Sequence, residues 1–174
     1  MPEKDRVSAL EVALKNEKQE REFYLLHAER TTNPVGKAMF QQIADDELEH
    51  FERLKELHSV WSQDQKWPAS LPLEVKGTRV KDVLLNVLKK MKEIPPGDGS
   101  DLDALRTAID FEAKGVAYYT ELRDKVSDPK QKNFFDLLAG IEHEHYTSLR
   151  DTEQFLMDPA VWYREKERHD LDAG

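Results

Sequence analysis

The feature that most constrains this chain is an internal repeat, in which two segments correspond without a gap when 95 is added to the residue number. The repeated positions include apolar residues at helical spacing, but also polar residues that packing alone does not explain. The corresponding pairs are Leu10 and Leu105, Ala13 and Ala108, Glu17 and Glu112, Tyr24 and Tyr119, Pro34 and Pro129, Phe40 and Phe135, Ala44 and Ala139, Glu47 and Glu142, His50 and His145, and Leu54 and Leu149. The repeat predicts two copies of one helical hairpin, packed around a pseudo-two-fold axis.

Four long segments with helical periodicity form the two predicted hairpins. The first hairpin has helices over residues 6–30 and 34–61, and Asn33 is the expected cap between them. The second begins at about Ser100, its expected N-cap, and turns at residues 127–129, where an aspartate and a proline again mark a helix start. Each short connection predicts an antiparallel helix pair.

Residues 62–100 differ from these segments, because they are rich in proline and glycine around one amphipathic stretch at about 80–91. This composition predicts a long crossover that contains a short helix. Two short connections and one long one are typical of a four-helix bundle with a crossover. We therefore predict an all-α fold, with the bundle over residues 1–157 and a short, charged C-terminal helix and tail over residues 158–174.

Composition and charge exclude several classes of function. The chain has no cysteine, which excludes disulfides, thiol catalysis and a rubredoxin-type iron centre. The formal net charge of −9 disfavours binding to nucleic acid or to an anionic membrane, and no apolar run approaches the ~18 residues of a membrane span. Residues 1–6 are charged where a signal peptide would become apolar. We expect a cytoplasmic protein that contacts neither nucleic acid nor membrane.

Each hairpin carries one glutamate on its first helix and a Glu-x-x-His motif on its second. The six residues are Glu17, Glu47 and His50 in the first hairpin, and Glu112, Glu142 and His145 in the second. Residues three apart lie on one helix face, only about 4.5 Å apart along the axis, so a carboxylate and an imidazole can bind the same metal ion. In both copies the first glutamate lies 30 residues before the second, and apolar neighbours place all six on buried stripes.

The charge of these side chains favours a two-metal site. An unpaired buried carboxylate costs several kcal/mol or takes up a proton, whereas two divalent cations would balance four carboxylates. Oxygen and imidazole donors without sulfur suit iron or manganese, and zinc can also enter. Without metal, the carboxylates should repel one another, and acid should relieve this repulsion until the two histidines become charged. A single Glu-x-x-His occurs often on solvated helices, but two copies with matching upstream glutamates favour metal binding.

Two tyrosines lie on the same helix faces as the first glutamates. Tyr24 and Tyr119 each follow such a glutamate by seven residues, which is two helical turns. We expect both to pack in the core with the hydroxyl near a carboxylate. A redox role is the alternative.

Four segments carry a resemblance to a known family: residues 17–24, 43–50, 111–119 and 141–145. Together they resemble the four helices of the rubrerythrin branch of the ferritin-like superfamily, over about residues 5–157. The resemblance implies a ferritin-like four-helix bundle with a non-haem di-iron centre. It also implies reduction of hydrogen peroxide, with ferroxidase-like oxidation of iron as the neighbouring activity.

The resemblance also implies roles for the six residues. Glu47 and Glu142 would bridge two iron ions, and His50 and His145 would be terminal nitrogen ligands. Glu17 and Glu112 would be terminal carboxylates.

The chain departs from rubrerythrins in two ways. It has no rubredoxin-like tail, since it has no cysteine, so electrons would come from a separate donor. Rubrerythrins carry an additional glutamate three residues after the third-helix ligand, where this chain has Gly115. The mirror position in the first hairpin is Glu20, which is a candidate seventh ligand. The alternative is that Glu20 belongs to a solvated run of charges and pairs with a surface cation.

Three functional hypotheses follow from these patterns. The first is a di-iron oxidoreductase that acts on hydrogen peroxide or dioxygen. The second is a ferroxidase or iron-binding protein without peroxide turnover, and the third is a helical scaffold with a structural di-metal site. Aromatic residues outside the duplicated core either cover the bundle or form the contact of a homodimer; they are Trp61, Trp67, Trp162 and Tyr163.

Overall fold

The computed structural model of the protein describes residues 3–64, 75–90 and 94–172. In these ranges the regular structure is helical, which confirms the predicted all-α fold. The helices are α1 (Glu3–Arg30), α2 (Pro34–Asp64), α3 (Val80–Lys90), α4 (Gly99–Lys125), α5 (Pro129–Met157) and α6 (Pro159–Asp172). The pairs α1–α2 and α4–α5 pack closely as hairpins, and α3 lies in the crossover between them. Trp67 and the end of the predicted crossover helix at Met91 lie outside the described residues.

Side chains cap the N-termini of three of the four bundle helices, which are α2, α4 and α5. The Asn33 Oδ1 atom accepts hydrogen bonds from the backbone N–H groups of Val35 and Gly36 at 3.0 and 3.3 Å, which starts α2. Asp128 likewise caps α5, with Pro129 in the first turn. These contacts confirm the helix starts that the sequence predicts.

The prediction of Ser100 as the N-cap of α4 is wrong by two residues. Asp98 is the N-cap, and its side chain accepts a hydrogen bond from the Asp101 backbone N–H at 2.9 Å. The Asp101 carboxylate accepts one from the Asp98 N–H at 3.2 Å in return. This reciprocal capping box pairs the backbone N–H groups of Asp98 and Asp101, which fixes the start of α4 at Asp98.

The apolar core consists of two clusters at opposite ends of the bundle. One cluster joins the end of α1 and the start of α2, as at Tyr24 and Phe40, to the start of α4 and the end of α5, as at Leu105 and Leu149. The other joins the opposite ends, as at Leu10, Leu54 and Phe135. Burial of large apolar side chains contributes roughly 1.5–3 kcal/mol each, so both ends are held firmly. The six predicted ligand residues lie in the layer between the two clusters.

The crossover and the C-terminal helix cover the bundle. Thr78, just before α3, donates a hydrogen bond to Asp46 on α2 at 2.6 Å. Trp162 of α6 packs edge-on against Phe155 of α5, with ring centroids 5.3 Å apart, and Trp61 is buried within the bundle. The contact of Trp162 agrees with the covering role that the sequence allowed, whereas Trp61 belongs to the core itself and does not cover it. No helix in the described ranges is long and apolar enough to cross a membrane.

Candidate metal centre

The structure brings the six predicted ligand side chains together in the middle of the bundle. Each is at most 2% exposed. The helices α1 and α4 each contribute one glutamate, and α2 and α5 each contribute one glutamate and one histidine. These residues are Glu17, Glu47, His50, Glu112, Glu142 and His145.

One half of this cluster surrounds the imidazole of His50. Its Nδ1 atom lies 3.3 Å from Glu17 Oε2, 3.4 Å from Glu47 Oε2 and 3.3 Å from Glu142 Oε1. Glu142 belongs to the second hairpin, so this half already combines both copies of the repeat.

The other half surrounds the imidazole of His145. Its Nδ1 atom lies 3.3 Å from Glu47 Oε1 and 3.4 Å from Glu112 Oε2. The two imidazole rings face each other with centroids 6.2 Å apart. The two halves are therefore related by the pseudo-two-fold axis that the repeat predicts.

The donor atoms fit two metal ions. One group, Glu17, Glu47, His50 and Glu142, and a second, Glu47, Glu112, Glu142 and His145, each place one ligand atom per residue within 4.8 Å of all the others. Glu47 and Glu142 belong to both groups. Within the described part of the chain, neither oxygen of Glu47 or Glu142 has a hydrogen-bond partner. Buried polar atoms without partners are rare in folded proteins, and nitrogen and carboxylate donors without sulfur suit iron, manganese or zinc.

In the absence of cations, the cluster binds protons instead. Burial, followed by the charge of Glu47, raises the pKa of Glu17 from 4.5 to about 8. Burial and the same neighbouring charge raise the pKa of Glu142 as well. Burial also disfavours ionisation of Glu47, but the neighbouring Glu17 carboxyl group and the two imidazoles beside it outweigh burial and hold its pKa below the usual value. Metal ions must therefore displace protons from this cluster.

The carboxylates around the two histidines favour the charged form of each imidazole. Burial alone would lower the pKa of His50, but the surrounding carboxylates, Glu17 foremost, raise it well above 6.5. The pKa of His145 is raised in the same way, mainly by Glu112. Both raised pKa values follow from the same cause, which is the surrounding carboxylates.

Two tyrosines tie the hairpins together through the first glutamates. The Tyr24 hydroxyl on α1 donates a hydrogen bond to Glu112 Oε1 on α4. The Tyr119 hydroxyl on α4 donates one to Glu17 Oε1 on α1. Each bond uses one carboxylate oxygen and leaves the other, Oε2, facing the imidazole of its group. The core packing with a hydroxyl near a carboxylate is as expected from the sequence.

Sequence reasoning missed Asp46. Its Oδ2 atom lies 2.8 Å from His145 Nε2, and its carboxylate also accepts hydrogen bonds from Thr78 and Gln42 at 2.6 and 3.0 Å. A search for residues conserved between the two copies could not find Asp46, because the corresponding position in the second copy is Ile141. The available signal was an aspartate directly before the Glu-x-x-His motif in one copy only.

Asp46→Ala is expected to weaken metal binding by the His145 group about 10–100-fold, because a carboxylate on the distal nitrogen orients an imidazole ligand and raises its basicity. Competition with a chelator measures this affinity. Asp45→Ala, at the exposed neighbouring position, is the matched control and should leave the affinity unchanged. Equal affinities in the two variants would contradict the role of Asp46.

A cavity of about 290 Å³ opens between α1 and α4 beside the cluster. Its lining includes Glu17, Glu142, Glu20 and Gly115. A Cβ atom at position 115 would lie only 2.5 Å from Glu142 Oε2, so a larger residue there would displace that carboxylate. Gly115 therefore makes room for Glu142 and leaves a path from solvent towards the cluster.

The Glu20 carboxylate faces this cluster. Burial raises its pKa well above 4.5, and the charges of Glu47 and Glu142 raise it further. Among the described residues no cation lies within ion-pair distance of Glu20.

Comparisons with known proteins place this chain in a family. A search of curated proteins gave no match. A hypothetical protein from Pyrococcus furiosus has a similar structure, with a TM-score of 0.64 and 23% identity over 87% of this chain and 90% of its own. This likeness supports the fold. The rubrerythrin family model matches residues 8–95, which hold the first hairpin. Because that match spans half of the sequence and the other half repeats the same motif, the chain belongs to the rubrerythrin family.

Proposed function

We propose that the protein is a di-iron oxidoreductase that reduces hydrogen peroxide or dioxygen with electrons from a separate donor. The observation that carries this proposal is the pair of overlapping ligand groups that share Glu47 and Glu142. Four carboxylates in one buried layer have no packing purpose, whereas two divalent cations would neutralise them. The rubrerythrin match supports iron as the metal.

The residues of the cluster divide into bridging and terminal donors. Glu47 and Glu142, which belong to both groups, would bridge the two ions. His50 and Glu17 would complete the ligand set of one ion. His145 and Glu112 would complete the ligand set of the other. The hydrogen bonds from Tyr119 and Tyr24 hold the terminal carboxylates in place, so that each presents one free oxygen to the metal.

The surroundings of the cluster favour a small oxidant. A bound di-iron centre would supply two electrons, which with two protons reduce hydrogen peroxide to two molecules of water. The apolar clusters at both ends of the bundle keep bulk water away from the ligands. The cavity beside Gly115 gives a small molecule access to the side of Glu142. Glu20 lines the same cavity and is proposed as an additional ligand.

The function is tested by supplying peroxide to iron-loaded protein with and without a continuous reductant. We expect sustained peroxide consumption with reductant and a single stoichiometric oxidation without it, because a chain without cysteine has no iron–sulfur or rubredoxin centre of its own. A single oxidation under both conditions would instead indicate iron handling. An optical spectrum of the metal that never responds to oxidant would indicate a structural metal site.

Glu20→Gln is expected to change the iron spectrum and to slow oxidation by peroxide, because it replaces a carboxylate that lines the cavity beside Glu17 and Glu142 but keeps the shape of the side chain. Glu22→Gln, at an exposed position of the same helix, is the matched control. A Glu20→Gln protein with the spectrum and rate of the control would leave a site of six ligands.

A further inference from the structure

A second tyrosine lies directly against Tyr119, on the side away from the metal cluster. The rings of Tyr118 and Tyr119 meet edge to face, with centroids 5.7 Å apart and planes at 72°. Tyr119 donates its hydrogen bond to the proposed ligand Glu17. The two phenols therefore form a chain that begins at a ligand of the metal centre.

The outer phenol of this chain reaches the surface. Tyr118 is half-buried, and its hydroxyl donates a hydrogen bond to the backbone carbonyl of Ala9 on α1 at 2.6 Å. Its side chain lines both the cavity of about 290 Å³ beside the cluster and a more open one of about 570 Å³. The second cavity also includes Val12 and Lys125. Small molecules in solution can therefore contact Tyr118, whereas the six proposed ligands are at most 2% exposed.

The first hairpin has a corresponding pair of aromatic rings, but only one of those two rings is a phenol. The position that corresponds to Tyr118 in the first hairpin is Phe23, and the Phe23 and Tyr24 rings also meet edge to face, 5.5 Å apart and at 81°. Phe23 packs in turn against Phe111, with centroids 5.1 Å apart. A phenylalanine ring has no hydroxyl proton to release and is far harder to oxidise than a phenol. The pseudo-symmetric protein thus has two outward ring pairs, of which one is a phenol pair and the other ends in phenylalanine.

We propose that Tyr118 and Tyr119 conduct single electrons from small one-electron reductants, such as ascorbate or a phenol, to the metal centre when peroxide exceeds the supply from the normal donor. This inference rests on the proposed function, since it needs a centre that reacts with hydrogen peroxide. It adds a further activity, which is one-electron peroxidase turnover at the α1/α4 surface.

The electron and proton balance of this activity is complete. Hydrogen peroxide that meets iron already oxidised would be the oxidant, because that iron has no further electrons to give. Tyr119 would supply one electron to this peroxide through the centre, and its phenolic proton would pass to the Glu17 carboxylate that accepts its hydrogen bond. Tyr118 then gives one electron to Tyr119, which recovers its proton from Glu17, and the Tyr118 proton leaves to water in the cavity. The reductant restores Tyr118 with one electron, and a proton returns from water. Two such transfers, with two protons, reduce one hydrogen peroxide to two molecules of water and oxidise two molecules of reductant by one electron each.

The test uses iron-loaded protein, excess hydrogen peroxide and no reductant, followed by freeze-quench electron paramagnetic resonance. We expect a tyrosyl radical whose signal changes when the tyrosines are deuterated, and a nitroso spin trap should label Tyr118, as located by mass spectrometry. Tyr119→Phe is expected to abolish the label at position 118. Tyr118→Phe should confine the radical to Tyr119 and slow its quenching by ascorbate several-fold.

Two further variants serve as comparisons, with all signals normalised to bound iron. Tyr163→Phe removes a phenol of α6 that is 40% exposed, and it should leave the label at Tyr118. Phe23→Tyr should create a second label at position 23, because it completes the second phenol pair. Labelling of Tyr118 that persists in Tyr119→Phe, or a wild-type protein whose iron is oxidised by peroxide without any tyrosyl radical, would overturn the relay. Iron that does not react with peroxide at all would instead overturn the proposed function.

Discussion

Glu47→Ala and Glu142→Ala are each expected to lose both metal ions, whereas Glu17→Ala and Glu112→Ala should retain about one per chain. The difference follows from geometry, because Glu47 and Glu142 contribute to both groups of ligand atoms while each first glutamate contributes to one. Loss of a bridging carboxylate removes a donor from each ion and also the negative charge that holds the two cations close together. Elemental analysis of fully loaded, desalted protein gives the metal content directly, and the intact protein should contain about two ions per chain.

The tyrosine hydrogen bonds supply a control for this comparison. Tyr24→Phe removes the bond to Glu112 but no ligand atom, so it should lower the affinity for metal and not the number of ions at saturation. A content of one ion or none in the loaded wild-type protein would contradict the di-metal centre. Equal losses in Glu17→Ala and Glu47→Ala would contradict the division into terminal and bridging donors.

The repeat made most of the fold and of the cluster predictable. Capping residues and prolines, such as Asn33 and Pro34, indicate where a helix begins from the local sequence. The bundle helices could therefore be placed from sequence alone. The six cluster residues could be found because the same pattern occurs twice with the same spacing. Their convergence between two apolar layers then follows from the side on which each helix is buried.

The features that were missed or misjudged depend on contacts between distant segments or on differences between the two copies. Asp46 faces His145 across 99 residues of sequence, and only its own copy of the repeat carries a carboxylate there. The cap at Asp98 depends on a reciprocal bond with Asp101, which competes with the equally plausible Ser100. The raised pKa values of the histidines depend on how many carboxylates surround each ring, and that number is a property of the assembled bundle.

The raised pKa values in the cluster lead to the second large effect. The metal-free protein should be more stable at mildly acidic pH than at pH 8, which is the opposite of what we expect for the metal-loaded protein. The pKa of Glu17 rises from 4.5 to about 8 on folding, so the folded protein holds a proton that the unfolded chain releases between these values. The resulting stability is complete below about pH 4.5 and is lost as the pH rises to 8; it amounts to at most about 5 kcal/mol. The raised pKa of His50 acts in the same direction, since its contribution is present below pH 6.5 and is lost as the pH rises.

The metal-free protein should therefore melt at a higher temperature at pH 5.5 than at pH 8, and the metal-loaded protein should show the reverse order, because protons compete with metal for the same donors. Below about pH 4.5 both forms should lose stability, since Glu47 has a lowered pKa and stabilises the fold only while it is ionised. Glu17→Gln, which imitates the protonated carboxyl group, should flatten the dependence of the metal-free protein between pH 5.5 and 8. Thermal unfolding of both forms across this range measures the effect. A metal-free protein that becomes steadily less stable from pH 8 to 5.5 would mean that the carboxylates do not share protons in a common buried layer.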